Sequence, residues 1–106
     1  MNRDKINIAV VNELIRRGVS CQFTPDASHV IRWGPLRIYG APVEDVSICA
    51  LFEGTLNTHE WYEYSIHLAE VYEPHDCVQM VTTALQKQPL ARCVAFLKVA
   101  RLWEEN

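Results

Sequence analysis

The hydrophobic period of this chain changes at Gly18, from that of a helix to that of a strand, and the change orders everything that follows. Before it, Ile6, Val10 and Leu14 form an i, i+4 row, with Val11 and Ile15 beside it. Lys5, Asn12, Glu13 and Arg16 occupy the other face, which predicts an amphipathic helix from about Asp4 to Arg17. Arg16 and Arg17 suit the negative end of its dipole, and Gly18 suits the left-handed residue that ends many helices. Asn7 falls inside the apolar arc and requires a hydrogen-bond partner if buried.

After Gly18 the pattern alternates. Val19, Cys21 and Phe23 alternate with Ser20 and Gln22, and a turn-rich stretch, Thr24 to Ser28, follows. His29 to Trp33 alternates again, Gly34-Pro35 suits a tight turn, and Leu36 and Ile38 alternate with Arg37 and Tyr39. The expectation is a three-stranded antiparallel meander. Residues 43–53 fit both periods, since Val46, Ile48, Ala50 and Phe52 alternate as in a strand, and Pro42, Glu44 and Asp45 at the start with Gly54 at the end favour a helix. Residues 60–72 fit both periods, and their aromatic and β-branched content favours a further strand. Asp76 with Gln79 suggests a capped helix, and Pro89 opens a last helix running to about Trp103.

These elements predict an α+β fold in a single domain over residues 1–106, with the two C-terminal helices packed on the sheet. The expected core is Ile6, Val10, Leu14, Cys21, Phe23, Ile31, Trp33, Leu36, Ile38, Val81, Leu85, Val94 and Leu97. The last helix is apolar nearly all round, which suggests a homodimer through it.

No apolar run is long enough to span a bilayer, and the first residues, MNRDKIN, lack the apolar stretch of a signal peptide. A cytoplasmic location is therefore expected. Cys21, Cys49, Cys77 and Cys93 stand singly, without a C-x-x-C pair, and read as reduced thiols rather than zinc ligands. His59, His67 and His75 recur every eight residues, but no carboxylate or thiol stands at metal-site spacing, and His29 stands apart. No metal and no cofactor is expected. Cys77, beside His75 and Asp76 at a predicted helix start, is the one candidate nucleophile, and its place on that helix's apolar face argues for core instead. No nucleophile elbow or glycine-rich phosphate loop is present, so the chain reads as non-enzymatic.

Charge segregation carries the functional expectation. Residues 1–40 hold six cations and three anions, residues 41–76 eight anions and no Lys or Arg, and residues 77–106 four cations and two anions. The acidic segment contains Trp61, Tyr62, Tyr64 and Tyr72. Aromatics are favoured at interface hot spots, and complementary charge orients encounter. Glu60, Trp61, Tyr62, Glu63, Tyr64, Glu70 and Glu73 are therefore the expected docking residues for a basic protein, as in a small inhibitor, immunity or antitoxin-like protein, or adaptor. The alternative is a nucleic-acid face built from Arg16, Arg17, Arg32 and Arg37. A sequence pI near 5.7 weighs against it.

Overall fold

Asn2 starts the first helix: its Oδ1 accepts the Lys5 backbone N–H at 2.9 Å. The computed structural model describes the backbone of residues 1–24, 27–33, 38–71 and 89–105, and the side chains of 1–21, 41–70 and 89–105. Helix α1 (Arg3–Arg16) buries Ile6, Asn7, Val10, Val11, Glu13 and Leu14, close to the range its period predicts. It ends in a Schellman turn. Val19 N–H reaches the Leu14 carbonyl and Gly18 N–H the Ile15 carbonyl, both at 3.0 Å, with Gly18 at φ +91°. Asn7 finds the partner its burial demands, since its Oδ1 accepts the Val43 N–H at 3.1 Å.

Helix α2 (Val46–Glu53) begins three residues later than the sequence suggests, because Asp45 is its cap and accepts the Ser47 N–H at 2.8 Å. Helix α3 (Thr58–Val71) replaces the further strand expected over residues 60–72. The deciding feature is local. Glu60 Oε1 accepts the Asn57 N–H at 3.1 Å, while Asn57 Oδ1 accepts the Glu60 N–H at 2.9 Å. That reciprocal capping box satisfies two donors at the helix start. Tyr64 and Leu68, one turn apart, then bury a single stripe, and the alternating aromatics that imitated a strand fall on different faces.

Helix α4 (Pro89–Val99) is shorter than expected and buries Ala91, Arg92, Cys93, Ala95, Phe96, Leu97 and Val99. A second Schellman turn ends it: Leu102 N–H reaches the Leu97 carbonyl at 2.8 Å and Arg101 N–H the Lys98 carbonyl at 3.1 Å. Here the left-handed position is held by Arg101, at φ 60°.

The α+β architecture is corrected by what α4 packs against. It lies on α1, α2 and α3, not on a sheet, and the described core comes from four helices and the loop residues Val43 and Leu56, with no described strand side chain among its buried members. Phe52 of α2 stacks on Phe96 of α4 at 4.4 Å between ring centroids, and Tyr64 of α3 meets Phe52 edge-on at 6.4 Å. Each such buried ring contributes roughly 1.5–3 kcal/mol. Between α1 and α2 the backbone runs through three short extended segments, β1 (Cys21–Thr24), β2 (Ala27–Trp33) and β3 (Ile38–Gly40), paired antiparallel in chain order with Cys21 opposite Trp33 and Ile31 opposite Gly40. Of the expected core, Ile6, Val10, Leu14 and Leu97 are buried, and Cys21 and Val94 are partly buried against it. The side chains of Phe23, Ile31, Trp33, Leu36 and Ile38, and the capped helix from Asp76 with Cys77, Val81 and Leu85, lie outside the described residues. Among the described residues, no helix is long and apolar enough to cross a membrane.

Candidate functional site

The capping box that makes α3 a helix also decides how its side chains are shared between core and solvent. Tyr64 turns fully inward. Its hydroxyl donates to Glu53 Oε2 at 2.6 Å, and Arg92 donates to the same carboxylate through Nε at 3.0 Å and through Nη2. Burial, and then the Glu53 carboxylate, push the Tyr64 phenol far above its ordinary pKa, so it stays a donor. Burial opposes charge on Arg92, and Glu53 more than offsets that and raises the guanidinium pKa. The Cys93 thiol is pushed well above its ordinary range by burial and by the neighbouring Cys49 thiol. Cys49 in turn bonds the Pro42 and Pro89 carbonyls at 3.7 Å. A carboxylate that accepts from both Tyr64 and Arg92 makes this cluster a cross-brace of α2, α3 and α4.

Glu60 is also engaged within the chain. Arg17 holds it with bonds of 3.1 and 2.7 Å, and that contact, before its backbone bond to Asn57, lowers the Glu60 pKa. The Arg17 guanidinium lies 5.3 Å above the Phe96 ring centroid. Arg16 pairs with the buried Glu13, while the side chains of Arg32 and Arg37 lie outside the described residues, as does Glu73. The structure therefore brings Arg16 and Arg17 to one helix end but turns Arg17 into the fold.

What α3 leaves outside is a continuous apolar and acidic row. Tyr62 is 68% exposed, Ile66, one turn on, is 43%, and Trp61 is 37%, its ring meeting Tyr64 edge-on at 5.4 Å. Glu63 lies 3.1 Å from His59 Nε2, and the exposed Glu70 lies 3.3 Å from His67 Nδ1 and 4.0 Å from Lys98 Nζ. Beside this row runs a groove of about 660 Å³ between α3 and the turn after α4, lined by Glu63, Ile66 and His67 on one wall and Lys98, Arg101, Trp103 and Glu105 on the other. Trp103 Nε1 donates to Glu105 at 3.1 Å. Of the expected docking residues, Tyr62, Glu63 and Glu70 share the outward surface with Trp61, Glu60 is engaged through both oxygens by Arg17, and Tyr64 is core.

No protein-family model, curated protein or solved structure matches the chain.

Ile66, Lys98, Arg101 and Trp103 were not expected at the site. Ile66 becomes visible from sequence once residues 58–71 are placed on a helix, because it stands four residues from Tyr62. Nothing in the sequence pattern brings the turn after α4 beside α3. Among the described residues, no three His, Cys, Asp or Glu side chains gather as a metal site would require.

Proposed function

We propose that the chain is a non-enzymatic protein-binding module whose docking surface is the outward face of α3. The carrying observation is the row Tyr62–Ile66, exposed beside the carboxylates of Glu63 and Glu70, on a helix without a single Lys or Arg. A large exposed aromatic beside carboxylates suits a basic protein surface: the ring supplies a desolvated anchor and the carboxylates steer encounter. The groove beside Ile66 extends the same surface and offers concave space for a partner side chain. An inhibitor or adaptor role is consistent with such a surface, and a reducing, cytoplasmic setting suits the free thiols of Cys21, Cys49 and Cys93.

The test compares proteins retained by the immobilised wild-type chain and by a Tyr62→Ala, Glu63→Lys variant. The expected result is a basic protein held by the wild type, released by salt and lost from the variant. Equal retention by both would contradict the reading.

A further inference from the structure

Helices α1 and α3 both pack against α4, and each leaves an outward face. The outward face of α1 is the chemical complement of that of α3. Ile8 and Ile15 are exposed on either side of Asn12, at i, i+4 and i+7, and Ile15 is 46% exposed. Lys5 and Arg16 border that row, with one exposed acid, Asp4, where α3 carries Glu63 and Glu70. Between α1 and the turn after α4 lies a cleft of about 290 Å³ lined by Asn12, Glu13, Arg16, Ala100 and Leu102. Its apolar wall is Ala100 and Leu102, the latter 42% exposed, and its polar wall offers to a hydroxyl the Asn12 amide and the Arg16 guanidinium, whose Nε and Nη2 already pair with Glu13. A phenol ring has both needs.

We propose that the chain assembles with copies of itself head to tail, Tyr62 of one copy seating in the cleft between α1 and Leu102 of the next. The inference rests on the reading of α3 as a docking face and identifies the basic surface that meets it. Glu63 and Glu70 then lie toward Lys5 and Arg16 of the neighbouring copy, and Ile66 covers part of the Ile8–Ile15 row. Because the two faces differ, a single docked pair leaves an α3 face and an α1 cleft unused, and repeated docking closes a ring or extends a filament. A two-fold pairing of α1 with itself would instead set Lys5 and Arg16 against like charge.

The experiment is light scattering on the full chain at low ionic strength across a concentration series. The wild type is expected to grow beyond the mass of one chain with concentration and to fall back as salt screens the charges. Tyr62→Ala and Leu102→Asp should each remain monomeric, with Ile15→Ser as a second variant of the α1 side and helical circular dichroism confirming the fold of each. Mixed in equal amounts, Tyr62→Ala and Leu102→Asp should form a dimer that grows no further, since one complementary pair of faces survives between them. A wild type that stays monomeric, growth untouched by either substitution, or a mixture that stays monomeric overturns the proposal. A monomeric wild type that still holds a basic protein through Tyr62 overturns self-assembly and leaves the α3 docking face standing.

Discussion

Arg17, the C-cap of α1, and Glu60, in the first turn of α3, are 43 residues apart in sequence and joined by two hydrogen bonds of 3.1 and 2.7 Å. The pair explains much of the charge segregation along the chain. The basic first segment meets the acidic middle at Arg17–Glu60, and the basic last segment meets it at Arg92–Glu53 and Lys98–Glu70.

Glu60 serves two structures at once, as the capping-box acid of α3 and as the partner of Arg17. Glu60→Gln keeps an acceptor for the Asn57 N–H but loses the charge pairing with Arg17, and should therefore destabilise the chain by up to about 1 kcal/mol at neutral pH. Its pKa is lowered in the folded state, so its stabilisation is present above the ordinary Glu value and is lost as pH falls through the folded one. Denaturant titrations from pH 7 into the acid range should show a smaller loss for Glu60→Gln than for the wild type.

Arg92 is buried against Glu53 and Tyr64, and removing it strands a carboxylate in the core. Arg92→Met should cost about 3–5 kcal/mol, the range for breaking a buried pair. Replacing Glu53 by Leu as well should recover part of that loss. A double-mutant cycle by urea unfolding measures the coupling, and additive losses would contradict the pairing.

The two Schellman turns give opposite predictions. A Cβ on Gly18 meets nothing within 4 Å, so Gly18→Ala tests backbone conformation alone and should destabilise by about 1 kcal/mol. Arg101 holds the equivalent position at φ 60°, and Arg101→Gly should stabilise by up to about 1 kcal/mol. Thermal unfolding of the two variants provides the comparison.

The sequence made α1 legible because three signals agreed there: period, dipole-matched arginines and Gly18. Asn7 shows the same agreement in reverse, a polar residue in an apolar arc whose partner the fold supplies at Val43. Residues 60–72 misled because Tyr62, Tyr64, Ile66 and Leu68 alternate as a strand would, and β-propensity follows packing context more than backbone preference. The Asn57-x-x-Glu60 pair was the available correction, a cap signature with Asn in place of Ser or Thr. The helix assignment in turn separates Tyr64 from Tyr62, which the acidic-aromatic reading had grouped. The wall formed by Lys98, Arg101 and Trp103 depends on where α4 ends and on its packing against α3, which no local pattern encodes.

The central claim is that Tyr62 stands at a protein interface. A photo-cross-linking amino acid placed at Tyr62, and in a second variant at the exposed Glu44, tests it most directly in intact cells of the source organism. A discrete adduct from position 62, with none from position 44, is the expected result. No adduct from position 62, or the same adducts from both positions, would contradict the account.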